Sequence, residues 1–90
     1  MKKRKLLQKI LSGSKNIRFD EFAALLEALG FTLDRVGGSH RVYKHPKVPR
    51  SFPIQDINGK AKAYQVRQLL QLMELYNLTL EDDSDEDGEE

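Results

Sequence analysis

The sequence predicts a small α+β fold, a two-layer sandwich with helices on one side of a three-stranded antiparallel sheet. Three observations predict it. Phe19, Phe22, Leu26 and Leu29 recur at helical spacing, and Val66, Leu69, Leu70 and Met73 do so again near the other end. Between them, Phe31–Val36 and Ser51–Gln55 alternate apolar and polar residues, as half-buried strands do. Amphipathic helices and one-sided strands bury their apolar faces against each other, which sets the helices on one side of the sheet.

Size and composition bound the function. A chain of 90 residues supports one domain near the lower limit for a single apolar core. With 39% hydrophobic residues it is too apolar for a disordered chain. The absence of cysteine excludes disulfides and thiolate metal sites and suits a reducing compartment. The apolar runs are far shorter than a membrane span, and Met1–Lys5 leads into no signal-peptide core, so a cytoplasmic location is expected.

The net charge of +1 hides an asymmetry. Residues 1–80 carry all 15 Lys and Arg against six acids, net +9, whereas residues 81–90 carry eight acids and no base. A basic body with an acidic tail points to a nucleic-acid partner or, equally, to a lysine-rich solvated surface. The expected organisation is a basic N-terminal helix and linker over 1–16, the main domain over 17–80 and a disordered acidic tail over 81–90.

The elements follow in order. Residues 2–12 form a basic amphipathic helix with Leu6, Leu7, Ile10 and Leu11 on its apolar face, stopped by Ser12-Gly13-Ser14. Its role is to dock leucines on the core, with phosphate contact by its lysines as the alternative. Asp20 and Glu21 suit the first turn of a helix over 18–29, and Gly30 suits the position after its end.

Gly37-Gly38 reads as a two-residue hairpin turn. That register sets Arg35 opposite His40, Asp34 opposite Arg41 and Leu33 opposite Val42. A three-residue loop, shifting the pairing by one, is the second choice. Pro46–Arg50 reads as a basic turn, Pro53 restricts strand 51–55 to an edge or to one-sided pairing, and Asp56–Lys60 reads as a turn. A helix over 62–76 ends at Asn77 in the left-handed conformation.

The window Val36–Pro46 holds both histidines and the best candidate chemistry. An imidazole can take the proton of an RNA 2′-hydroxyl, which then attacks the neighbouring phosphate. Cations are needed to hold that phosphate, and Arg35, Arg41 and Lys44 lie close to His40 in sequence or register. Gly37-Gly38 lets backbone N–H groups approach a phosphate, and the Ser39 hydroxyl can donate as well. On residue chemistry alone, a catalytic His40 and a structural or merely exposed His40 both stand. His45 falls on the opposite face of its strand and reads as structural, and Tyr43 as a packing residue. No metal-ligand spacing, phosphate-binding loop, dinucleotide fingerprint or serine triad is present, so no metal or other cofactor is expected.

Gly30-Phe31, Val36, the run Gly38-Ser39-His40-Arg41-Val42-Tyr43-Lys44-His45-Pro46 and the segment Lys60–Leu70 resemble the HicA family of bacterial toxins over roughly residues 17–75. The resemblance implies an α-β-β-β-α core like that of a double-stranded-RNA-binding domain, here with an extra N-terminal helix. It implies a type II toxin that cleaves mRNA, a catalytic role for His40 after Gly38-Ser39, and a HicB-like antitoxin covering the His40 surface. It also suggests RNA contacts by lysines at the start of the last helix, Lys60 and Lys62. The alternative on the same fold is a non-catalytic RNA- or protein-binding module. The basic helix over 1–16 and the acidic tail depart from the family core.

Overall fold

The structure is a computed structural model, which describes residues 3–13 and 16–80. The acidic tail predicted over 81–90 lies outside the described residues. The elements are α1 (Lys3–Leu11), α2 (Phe19–Ala28), β1 (Thr32–Gly37), β2 (His40–His45), β3 (Val48–Ile57), β4 (Lys60–Ala61) and α3 (Ala63–Tyr76). The four strands form one antiparallel sheet in the order β1-β2-β3-β4. Helix α2 packs across β1, β3 and β4, α1 packs on α2, and α3 packs on β3. This is the α+β sandwich the sequence predicts, with the dsRBD-like order of helix, strands and helix.

The core forms where the apolar stripes meet. Phe22, Leu25, Leu26 and Leu29 of the α2 segment, Tyr43 of β2, Ile54 of β3 and Leu69 of α3 are all fully buried. Phe52 meets Phe22 edge-on at 6.4 Å and Phe31 at 6.0 Å. Leu6 and Ile10 of α1 join the same core while Leu11 stays exposed, so α1 docks by one face.

Helix ends follow local chemistry. The Arg18 backbone N–H donates to Glu21 Oε1 at 3.3 Å, closing the first turn of α2. At its other end, Phe31 N–H reaches the Leu26 carbonyl and Gly30 N–H reaches that of Glu27, both at 3.0 Å. This is a Schellman cap, with Gly30 at φ +102°, a conformation that costs glycine little. Asn77 ends α3 at φ +56°.

Several details differ from the sequence reading. The β1–β2 turn is Gly38-Ser39, with Gly37 opposite His40, Val36 opposite Arg41 and Arg35 opposite Val42. Only Gly38 takes a positive φ, +59°, as a type II′ turn requires. Placing Ser39 in the turn lets its carbonyl accept the Asp56 N–H of β3 at 2.9 Å. A bulge between Leu33 and Arg35 then resets the register, bringing Leu33 opposite Tyr43 and Thr32 opposite Lys44. The predicted Asp34–Arg41 pair does not form. Asp34 instead reaches Arg35 at 3.3 Å and Lys44 at 3.8 Å.

β1 is exposed along its whole length instead of half-buried, and it is an edge strand, paired on one side only. Val48, expected in a turn, already opens β3, because Pro46-Lys47 alone makes the connection. A fourth strand appears where only a turn was expected: Asn58 and Gly59, at φ +53° and +84°, form a two-residue hairpin turn that pairs Lys60-Ala61 with Asp56-Ile57. The outer edge of β4 is held by the segment before α2, through Ala61 N–H to Ile17 O at 2.9 Å and Phe19 N–H to Gly59 O at 2.8 Å.

Pro53 sits in a strand flanked on both sides, yet costs no ladder bond. Its carbonyl points away from β2 and accepts from Gln65 Nε2 at 3.1 Å, so its missing N–H faces the same open edge. Gln65 Oε1 also accepts the Gln55 N–H at 3.0 Å. One buried carboxamide thus continues the pairing of β3 where β4 stops. Pairing through one side is what Pro53 predicts.

Candidate functional site

Strand alternation sorts the candidate residues onto two faces. Arg41, Tyr43 and His45 of β2 turn toward the helices, whereas His40, Val42 and Lys44 turn to the open face. His40 is exposed at the first position of β2, flanked by Gly37 on β1 and Gln55 on β3. Directly paired residues share a face, so Arg35, opposite Val42, and Thr32, opposite Lys44, join this open surface. Alternation along β3 adds Pro53, Gln55 and Ile57, and Lys60 follows as the partner of Ile57.

The open face therefore gathers His40, Arg35, Lys44 and Lys60, with the Gly38-Ser39 turn at one end. Arg35 lies about 7 Å along its strand from the position opposite His40, two residues at the usual rise. Asp34 lies between Arg35 and Lys44 and partly offsets their charge. Lys62 caps the start of α3, its ammonium 5.4 Å from the centre of the Tyr64 ring.

Arg41 is not part of this group. Its guanidinium lies 5.0 Å over the Phe19 ring, on the helical side of the sheet. His45 is likewise separate and fully engaged. Its Nδ1 accepts the Lys47 N–H at 3.0 Å, which leaves the ring hydrogen on Nε2 to donate to the Leu29 carbonyl at 3.0 Å. Phe31 packs edge-on against the ring at 4.9 Å. Among the described residues, no three His, Cys, Asp or Glu side chains gather as a metal-ligand set.

Two open-face residues escaped sequence reasoning. Gln55 was read only as part of a strand, although its position opposite His40 follows once the β2–β3 register is known. Arg18 pairs with Lys60 across an isolated bridge and so reaches the same surface. Its guanidinium holds Asp20 by two contacts of 3.3 Å, and this hydrogen bonding keeps the Asp20 carboxyl below its ordinary range. The signal for Arg18 lay in the β4 pairing, which was not foreseen.

The surface is a flat sheet face. A groove of about 410 Å³ between β3 and α3, lined by Phe52, Pro53, Leu72 and Leu75 among others, contains none of the predicted site residues. The arrangement offers an exposed imidazole on a strand, with cations on three of the four strands of the sheet. That geometry suits an extended polyanion, whose phosphates can lie across several strands at once. No helix among the described residues is long and apolar enough to cross a membrane.

Residues 19–75, more than half of the chain, match the family described as HicA toxin of bacterial toxin-antitoxin, and the match runs from the start of α2 almost to the end of α3. No curated protein and no solved structure matches the chain at a significant level. With the matched segment spanning α2, all four strands and nearly all of α3, the chain belongs to the HicA family of bacterial toxin–antitoxin toxins.

Proposed function

We propose that the protein is an mRNA-cleaving endoribonuclease toxin in which His40 is the single catalytic imidazole. The observation that carries this reading is the contrast between the two histidines. His40 is exposed on the cationic open face, whereas both ring nitrogens of His45 are consumed in holding the fold together. His40 takes the proton from a ribose 2′-hydroxyl. The 2′-oxygen attacks the adjacent phosphorus, the bond from phosphorus to the 5′-oxygen breaks, and a cyclic phosphate and a 5′-hydroxyl result. The departing oxygen takes its proton from water, to which the face is open. Arg35, Lys44, Lys60 and Lys62 hold flanking phosphates, and the Gly38-Ser39 turn offers backbone and hydroxyl donors. Arg41, held over Phe19 on the other face, supports the sheet and contacts RNA only if that ring contact opens.

The chemistry needs no metal, because an imidazole and cationic side chains supply proton transfer and charge stabilisation. The partner that restrains the toxin is a HicB-type antitoxin, which is proposed to cover the His40 face, since a flat site is blocked only by occupying it. Induction of the wild-type chain in growing cells, beside a folded His40→Ala variant, tests the reading. Growth arrest by the wild type alone supports it. Equal toxicity of the two chains, or RNA binding by both without cleavage, favours a non-catalytic binding module.

A further inference from the structure

The residue directly across from His40 on β3 is Gln55, not a cation. We propose that Gln55 is a second substrate-contacting residue, whose side-chain amide donates to a non-bridging oxygen of the phosphate under attack. The proposal rests on the ribonuclease reading above and assigns a further group to the same site.

Three observations carry it. The first is the pairing. The Gln55 N–H turns away from β2 to Gln65, so His40 and Gln55 form a non-hydrogen-bonded pair. Such pairs bring their Cβ atoms to roughly 4.5–5.5 Å on the same face, the closest approach two strands allow. A phosphate within reach of the imidazole is therefore within reach of the carboxamide.

The second is rigidity. The Ser39 carbonyl, one residue before His40, accepts the N–H of Asp56, one residue after Gln55, at 2.9 Å. On the other edge Gln65, only 5% exposed, grips both the Gln55 N–H and the Pro53 carbonyl. Both residues thus stand on backbone fixed from two sides, which a preorganised site requires.

The third is chemistry. Arg35 and Lys44 sit further along their strands and are drawn to Asp34, so neither is the group paired with His40. Gln55 is half-buried, and among the described residues its carboxamide has no hydrogen-bond partner. A primary amide offers two N–H donors to the charge that builds on the phosphate oxygens, and no proton of its own to lose.

The test is single-turnover cleavage of an RNA oligonucleotide at saturating protein, using the full chain as wild type, Gln55→Glu, Gln55→Ala and His40→Ala, each with a thermal melt. Gln55→Glu keeps the size of the side chain but replaces the donor by a carboxylate that repels phosphate. The expected result is a saturating rate lowered by about 100-fold, the usual cost of one lost oxyanion donor, with Gln55→Ala lowered in the same direction and both melting close to wild type. The inference is overturned, and the ribonuclease reading kept, if both Gln55 variants cleave within about twofold of wild type while His40→Ala is inactive. It is also overturned if only RNA affinity falls and the saturating rate is unchanged. If the wild type itself does not cleave, both readings fall together.

Discussion

His45 ties the end of β2 to the end of α2: its Nε2 donates to the Leu29 carbonyl at 3.0 Å, beside the Schellman turn at Gly30. The imidazole thus links strand and helix through a backbone group that the helix itself leaves unpaired. Replacing it with alanine orphans that carbonyl and the Lys47 N–H and removes the contact with Phe31. His45→Ala is expected to lose about 2–4 kcal/mol of stability, combining two lost hydrogen bonds with a cavity. Urea denaturation checks this. A loss below measurement would contradict the structural role.

Tyr43 makes the opposite prediction. Its ring is fully buried, and its hydroxyl has no hydrogen-bond partner among the described residues. Burying an unpaired hydroxyl costs about 1–3 kcal/mol, so Tyr43→Phe is expected to leave the protein as stable or to raise its melting temperature. A clear drop in melting temperature would mean that the hydroxyl finds a partner in solution.

Gln65 is predicted to hold the edge of β3. In Gln65→Leu the Gln55 N–H and Pro53 carbonyl lose their shared partner. Amide hydrogen exchange at Gln55 is expected to accelerate by tenfold or more, corresponding to about 1.4 kcal/mol or more of lost local protection. Exchange unchanged at that amide would show that another group covers this edge.

The acidic segment 81–90 is opposite in charge to residues 1–80, which carry a net +9. If RNA and these acids compete for the same cations, truncation after Leu80 raises RNA affinity at low salt and the difference shrinks as salt rises. Titration of a labelled RNA at two salt concentrations measures it. Equal affinities at low salt would remove the acids from the account.

Much of this fold was legible because local signals agreed with the global one. Leu26 to Phe31 spells both the end of α2 and its glycine cap, and Asn77 marks the end of α3. The hairpin register was not legible, because two consecutive glycines permit two adjacent turns. The choice between them is made by the bond from Ser39 to Asp56, seventeen residues away. Alternation predicted a half-buried β1, but not that this edge strand leaves Leu33 and Val36 exposed. The Asn58-Gly59 pair was read only as part of a turn, because a two-residue strand after it is too short to show a pattern.

At the candidate site, residue chemistry alone left His40 with two readings, the family resemblance singled it out, and its neighbours on the open face could be placed only in part. Proximity in sequence grouped Arg41 with His40, although adjacent residues of a strand point to opposite faces. Gln55 and Arg18 became visible only through pairings between distant segments.

The most direct measurement is cleavage of a messenger RNA by purified protein in the presence of EDTA, comparing the wild type with His40→Ala. The account predicts that the wild type cleaves, and that the variant melts like the wild type but cleaves at least about 100-fold more slowly, the contribution expected of a general base. A folded His40→Ala protein that cuts RNA at the wild-type rate would contradict it.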